Sequence, residues 1–243
     1  MTTVVKLGGS VITDKDTPET VDRATLDRAA TALSKSDDRL IVVHGAGSFG
    51  HHHASEYGVS TTDGTHDDEA IRAIHGSMKR LNDAVVDSLA EAGLPAVPVH
   101  PLSAASRSVD GELSFPAVSV KTMLEEEFVP VLHGDVIAHD RSGATILSGD
   151  EVVVSLATAL DADHVGLCSA VRGVYDEEGA VIDRIERFGD VAEAVGGSDA
   201  TDVTGGMAGK VRALLALDAP AHVFDIDGLE AFVAGGTPGT KIE

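Results

Sequence analysis

The chain has 243 residues, of which 43% are hydrophobic, so it can bury one large core and is not intrinsically disordered. Its formal net charge of −22 opposes binding to nucleic acid or to an anionic membrane. This acidity, together with few lysines and few aromatic residues, suits a cytoplasm of high salt concentration, where counterions screen the self-repulsion.

Targeting signals are not recognisable in the sequence. No run approaches the roughly 18 apolar residues of a membrane helix. The N-terminal MTTVVKLGGS lacks the basic and long apolar regions of a signal peptide. We therefore predict a cytoplasmic protein. The single cysteine, Cys168, lies in an apolar run and is predicted to be a small core residue.

Strand-like and helix-like segments alternate along the chain. The predicted strands are residues 3–7, 40–43, 96–99, 128–132, 165–168 and 222–226, and the predicted helices are residues 21–33, 67–92, 151–160, 207–217 and 229–233. This alternation predicts an α/β fold with an open, mainly parallel twisted sheet sandwiched between helices. We expect a single domain over residues 1–243, with two lobes that meet near residue 140 and share the sheet.

Four glycine-rich turns follow strands or precede helices, at residues 6–10, 45–50, 148–150 and 204–207. Ligands of open α/β sheets bind at the carboxyl ends of strands, and backbone N–H groups in such turns bind anions. One turn alone is more often ordinary loop geometry. Several turns with nearby lysines predict a polyphosphate site.

The segment GAGSFG, from Gly45 to Gly50, also matches the GxGxxG pattern of dinucleotide-binding proteins. That pattern requires an acidic residue at the end of the next strand, but residues 96–99 are followed by His100 and Pro101. Because this acidic residue is missing, an NAD-binding protein is kept only as a secondary alternative.

Six motifs in order along essentially the whole chain resemble the amino acid kinase family. They are KLGGS at the start, Lys15, HGAGSFGH after the second strand, HGD at 133–135, SGDE at 148–151 and TGGMAGK at 204–210. KLGGS and TGGM are shared with carbamate, acetylglutamate, glutamate and uridylate kinases. GSFGH is similar to the isopentenyl phosphate kinases and the fosfomycin kinases, and the whole set looks most like the former.

The resemblance implies transfer of the γ-phosphoryl group of ATP to isopentenyl phosphate, a small-molecule substrate, in isoprenoid synthesis. It also implies Mg²⁺ as a cofactor, a homodimer, an acceptor-binding lobe of residues 1–140 and a nucleotide-binding lobe of residues 141–243. Two alternatives stay open. One is a kinase of the same fold with another phosphate or phosphonate acceptor, such as fosfomycin; the other is a nucleotide-binding domain without turnover.

The resemblance also implies residue roles. Lys6 would hold the transferring phosphoryl group, Lys15 and Lys210 would contact the ATP phosphates, His51 would bind the acceptor phosphate, and Asp150 would orient the lysines. The implied ATP-binding residues are Lys6, Gly8, Gly9, Ser10, Gly47, Gly205, Gly206 and Lys210, and the implied acceptor-binding residues are Ala46, Gly47, His51 and Gly149. A general base is not needed, because the acceptor oxygen is already an anion.

His52 and His53 extend the histidine run, and we expect them to cap the segment or face solvent. A metal site built from the three histidines is disfavoured, because we expect an extended segment, whose neighbouring side chains point in opposite directions, and because no other ligand spacing supports such a site. No protein-bound metal is therefore predicted.

Two further segments bear on the substrates. Ile71, Ile74, Met78 and Leu81 have helical spacing and either line a pocket for the prenyl tail or pack in the core. Residues 169–174, SAVRGV, stand where many amino acid kinases have a TDVDGV-like segment near the nucleotide, so the nucleotide preference stays open.

Overall fold

The computed structural model describes residues 1–115, 117–196 and 206–243. The strands are β1 (Thr2–Leu7), β2 (Arg39–His44), β3 (Ala96–Pro98), β4 (Ser106–Arg107), β5 (Leu113–Ser114), β6 (Val129–His133), β7 (Asp135–His139), β8 (Gly143–Leu147), β9 (His164–Cys168), β10 (Arg184–Ile185), β11 (Ala221–Phe224) and β12 (Thr240–Ile242). The α-helices are α1 (Gly9–Ile12), α2 (Arg23–Leu33), α3 (Gly47–Glu56), α4 (Asp68–Glu91), α5 (Val118–Glu125), α6 (Gly149–Ala159), α7 (Ala192–Gly196), α8 (Gly206–Leu214) and α9 (Leu229–Val233).

An eight-stranded sheet in the order β10-β12-β11-β9-β1-β2-β6-β3 forms the centre of the fold. Its pairings are parallel except that of β11 with β12. All six residues of β1 are buried, and this strand pairs with β2 on one side and β9 on the other. Strands that are buried on both faces are expected where helices cover both faces of a parallel sheet.

The two faces of the sheet contribute to separate hydrophobic cores. Val4 packs with Leu156 of α6 in one core, and Val5 packs with Leu81 of α4 in the other. Successive side chains of a strand point to opposite faces, which explains the division. The predicted α/β fold, with a mainly parallel sheet between helices, is confirmed.

Several parts of the structure are not among the predicted strands and helices, including α5, β10 and β12. A smaller sheet in the order β5-β4-β7-β8 includes an antiparallel hairpin formed by β7 and β8, and the turn of this hairpin, Asp140 to Gly143, is one that the sequence predicts. The segment after the second glycine turn forms α3, with sequence GSFGHHHASE. Glycine, serine and histidine are weaker helix formers than alanine or leucine, so this short segment carries little local helix signal.

Two sequence expectations can be compared directly with the fold. Cys168 is 1% exposed, and burial raises the pKa of its thiol to about 12, as expected for an inert core residue. None of the helices in the described ranges is long and apolar enough to cross a lipid bilayer.

Candidate active site

A cavity of about 1400 Å³ lies at the carboxyl ends of the central strands. The predicted site residues that line it are Lys6, Gly8, Gly9, Ser10, Lys15, Ala46, Gly47, His51, Gly149, Asp150 and Lys210. Because β1, β2 and β9 are parallel, the loops that follow them meet at one edge of the sheet. Gly206 begins α8 but is not part of the cavity lining, and Gly205 lies outside the described residues.

Asp150 connects two of the predicted lysines inside the cavity. Lys6 Nζ donates a hydrogen bond to Asp150 Oδ1 at 2.6 Å, and Lys210 Nζ lies 3.7 Å from Asp150 Oδ2. The side chains of Lys6, Asp150 and Lys210 are 11%, 15% and 19% exposed, respectively. Shielding from water strengthens such charge pairs, so the carboxylate fixes both ammonium groups in the cavity.

The first two glycine turns pack directly against each other. A Cβ atom on Gly9 would lie 2.1 Å from Gly47 N, and one on Gly45 would lie 2.6 Å from Gly9 N. Gly47 also has a φ of +51°, which L-residues with side chains rarely adopt. The glycines therefore allow close backbone packing between two loops, a requirement that the sequence motifs did not reveal.

Thr13 joins these loops through its hydroxyl group and was not predicted as a site residue. Its Oγ1 donates to Gly9 O at 2.8 Å and accepts from Ser48 N at 3.0 Å. It also lines the cavity. A threonine near a glycine turn has no distinctive sequence signal, because the role depends on the contact with the second loop.

The N-termini of α3 and α6 line the same cavity. Gly47 begins α3 and Gly149 begins α6. Ser148 and Glu151 form a reciprocal capping box that fixes the first turn of α6. The positive ends of the two helix dipoles therefore favour an anion in the cavity.

The loop that carries Lys15 is attached to α3 and α4 through Glu19. His53 Nε2 lies 2.8 Å from Glu19 Oε1, and Arg80 donates to the same oxygen. The backbone N–H of Glu19 also donates to Ser48 O at 3.2 Å. Burial raises the pKa of Glu19, but the hydrogen bonds from His53 and Arg80 outweigh it, so the pKa is lowered overall and the carboxylate stays charged.

Part of the predicted apolar stripe of α4 reaches the cavity. Ile74 and Met78 are 1% exposed to solvent and line the cavity together with Ile146. Leu81 is buried in the core instead. Ile71 packs against a small cluster that includes Ile74. The stripe is thus divided between core packing and the cavity wall.

Buried histidines lie behind the cavity at the ends of β2 and β6. Burial lowers the pKa of His44 to about 4 and lowers that of His133 well below its usual value. Each ring donates from Nδ1 to the next backbone carbonyl, Gly45 O at 3.1 Å and Gly134 O at 2.8 Å. These neutral rings therefore support the backbone where it turns into the glycine loops.

The segment that replaces the TDVDGV-like motif contacts the cavity through small residues. Ser169 and Val171 line the cavity, whereas Arg172 Nε lies 3.7 Å from Asp225 Oδ2 outside its lining. Arg172, which stands where the TDVDGV-like motif has an acidic residue, thus forms an ion pair with Asp225.

The structure argues against the alternative of an NAD-binding protein. In a dinucleotide-binding βαβ unit the strand after the glycine turn pairs with the strand before it. Here β6 lies between β2 and β3, and the chain between those two strands contains both α3 and α4. GAGSFG therefore forms a different loop despite the matching glycine spacing.

The sequence pattern of the amino acid kinase family matches residues 1–223. This chain belongs to the amino acid kinase family. An isopentenyl phosphate kinase of Haloferax volcanii is 64% identical over 241 residues, which cover 98% of this chain and 97% of that protein. One of Methanothermobacter thermautotrophicus is 38% identical and covers 88% of this chain and 86% of the relative. The resemblance that the motifs indicated is therefore confirmed.

Solved structures of amino acid kinases agree with this assignment. An X-ray structure of isopentenyl phosphate kinase has a TM-score of 0.83 and 29% identity, covering all of both chains. A structure of the isopentenyl phosphate kinase substrate complex has a TM-score of 0.78 and 26% identity, covering 99% of this chain and 100% of that one. The amino acid kinase fold thus extends over the whole length of the protein.

Proposed function

We propose that the protein is an isopentenyl phosphate kinase that uses ATP to form isopentenyl diphosphate. The arrangement of Lys6, Asp150 and Lys210 in a cavity that also contains His51 carries this proposal. Both substrates are anions, and Lys6, Lys15 and Lys210, which line the same cavity, would offset the repulsion between them. The relatives that are similar over nearly the full chain have the same activity in their names.

In the proposed reaction, an oxygen of the acceptor phosphate attacks the γ-phosphorus of ATP. A new P–O bond forms to the acceptor, the bond to the β–γ bridging oxygen breaks, and ADP leaves with that electron pair. Positioning and neutralisation of charge provide most of the catalysis in such transfers. Lys6 would hold the transferring group, because its ammonium group is fixed by Asp150.

The remaining lysines and His51 would hold the ends of the two substrates. Lys210 and Lys15 would bind the ATP phosphates from opposite sides of the cavity, and His51 would donate to the acceptor phosphate. The backbone of Gly47 and Gly149, at the starts of α3 and α6, would contribute N–H groups. Ile74 and Met78 would contact the apolar tail of the acceptor.

Mg²⁺ fits this site as an ion carried mainly by ATP. Asp150 is already bonded to Lys6, and Asp135, also in the cavity lining, lies 2.9 Å from His75 Nδ1. Mg²⁺ in kinases is commonly held by substrate phosphates with few protein carboxylates. When bound, the ion would neutralise charge on the phosphate oxygens, and the ATP phosphates, themselves held by Lys15 and Lys210, would be its main ligands.

A coupled assay for ADP release tests the activity and its acceptor together. The purified protein, with Mg²⁺ and ATP in concentrated KCl, is supplied separately with isopentenyl phosphate, fosfomycin or no acceptor. We expect turnover only with isopentenyl phosphate, and ³¹P NMR should show a diphosphate product. Turnover of fosfomycin alone would replace the acceptor assignment, and absence of turnover with every acceptor would reject the kinase proposal.

We also propose that the protein works as a homodimer in a cytoplasm of high salt concentration. The net charge of −22 supports the second point, because screening is needed to offset self-repulsion at this charge density. Light scattering in 2 M KCl should give twice the chain mass of 25.0 kDa, and a monomer mass would contradict the dimer.

A further inference from the structure

Helix α3 changes the geometry of the three consecutive histidines. The expectation of an extended segment is wrong, because residues 47–56 are helical. One ligand atom each from His52, His53 and Glu56 lies within 4.8 Å of the other two. His52 and Glu56 are four residues apart and therefore share a helix face. The argument that neighbouring histidines diverge does not apply to this arrangement.

The two nitrogens of His53 have different surroundings. Nε2 lies 2.8 Å from Glu19 Oε1, and a carboxylate can only accept, so the proton is on Nε2. In the neutral ring, Nδ1 then carries a lone pair. This atom is buried without a hydrogen-bond partner, and Glu56 Oε2 lies 3.4 Å from it. A buried polar atom without a partner is costly and uncommon.

Glu19 contacts His53 in the same way that carboxylates orient the histidine ligands of metal ions. In metal sites, the imidazole nitrogen that does not bind the ion usually donates to a carboxylate, which fixes the ring and its tautomer. Glu19 is itself fixed by Arg80 and by its backbone bond to Ser48. The ring of His53 is therefore held with its Nδ1 toward Glu56.

We propose that His52, His53 and Glu56 bind a divalent transition-metal ion such as Zn²⁺, with His53 binding through Nδ1. Two imidazoles and one carboxylate favour Zn²⁺, Co²⁺ or Ni²⁺ over Mg²⁺, which prefers oxygen ligands. Ligands of one tetrahedral ion lie about 3.3 Å apart, so the exposed side chains of His52 and Glu56 rotate inward on binding. Both residues line the cavity, which places the ion at its rim.

Titration of the full-length protein with Zn²⁺ in KCl, without ATP or acceptor, tests this site independently of kinase activity. We expect one ion bound per chain, with a visible absorption band typical of four-coordinate Co²⁺ when cobalt is used instead. Excess Mg²⁺ should not displace the ion. No binding, or displacement by Mg²⁺ at similar concentration, would overturn the proposal.

Variants localise the ion. The double variant H52N/E56Q changes only exposed side chains, and its circular dichroism checks that it folds; we expect it to bind Zn²⁺ at least about tenfold more weakly. Glu19→Gln should also weaken binding by about tenfold, because it alters the orienting bond to His53. His66→Asn, which replaces an exposed histidine outside the cluster, is the matched control. Equal affinity in H52N/E56Q and in the control would overturn the assignment.

Discussion

Lys6 Nζ lies 2.6 Å from Asp150 Oδ1, although 144 residues separate the two in the chain. The lysine is on the central strand β1, and the aspartate is in the first turn of α6. Lys210 approaches the other oxygen of the same carboxylate from α8. A single acidic side chain therefore sets the separation of two cations that come from distant parts of the sequence.

The replacement Asp150→Asn should test how Asp150 positions the two lysines without disturbing the fold. Asparagine keeps the shape of the side chain but removes the charge that holds the two ammonium groups. We expect kcat to fall by about 100-fold, the scale observed when a preorganised electrostatic contact is lost. Steady-state kinetics measure it, with Asp87→Asn on the exposed face of α4 as the charge-matched control. A wild-type kcat in Asp150→Asn would show that Asp150 does not position the lysines for transfer.

Replacement His51→Ala should reduce the rate by about 100-fold, because a charge-assisted donor to the acceptor phosphate is removed. Initial rates measured against isopentenyl phosphate and ATP separately should show the larger change in kcat/KM for isopentenyl phosphate. His66→Ala, in an exposed position, provides the control for loss of an imidazole. If the rate of His51→Ala equals that of the control, the assigned role of His51 is incorrect.

Replacement Gly47→Ala should destabilise the protein through two effects. The residue has a φ of +51°, and its added Cβ would lie 2.2 Å from Thr13 Oγ1. Gly179 also has a positive φ, +83°, but an added Cβ there meets nothing within 4 Å. Gly179→Ala therefore measures only the free-energy cost of holding alanine at a positive φ, which is about 1–2 kcal/mol.

The difference between these two variants isolates the loop contact. We expect thermal unfolding to show a larger decrease in Tm for Gly47→Ala than for Gly179→Ala, accompanied by loss of activity only in the former. Equal decreases in Tm would mean that the two glycine loops separate without cost, contrary to the packing of Gly47 against Thr13.

Acidification should destabilise the protein through its buried histidines. Burial lowers the folded-state pKa of His44 from 6.5 to about 4, so the unfolded chain binds the proton more readily. The contribution is fully present above pH 6.5 and is lost as the pH falls toward 4. For His44 it amounts to about 3 kcal/mol.

Urea unfolding at fixed salt concentration, between pH 7.5 and 4.5, measures this dependence. The variant His44→Gln removes the titrating ring, so its free energy of unfolding should change less over the same interval than that of the wild type. Identical pH profiles for the two proteins would exclude His44 as a source of the dependence.

Local patterns were sufficient to predict the main strands and most helices. The β-branched residues Thr3, Val4 and Val5 of β1 predict a strand, and the amphipathic spacing of α4 predicts a long helix packed on one side. The glycines after β1 and β2 marked the position of the cavity, because parallel strands bring their carboxyl ends to one edge. These signals depend on residues that are close together in the chain.

The sequence by itself predicted the α/β fold and the edge of the sheet where the glycine turns meet, and it indicated Lys6, Lys15, His51 and Lys210, which line one cavity there. Only the tertiary structure decided that Asp150 joins Lys6 to Lys210, that Gly9 packs on Gly47, and that Glu19 orients His53. The physical reason is that strand and helix patterns arise from neighbouring residues. Contacts between loops depend instead on distances across the folded sheet, which no local pattern encodes.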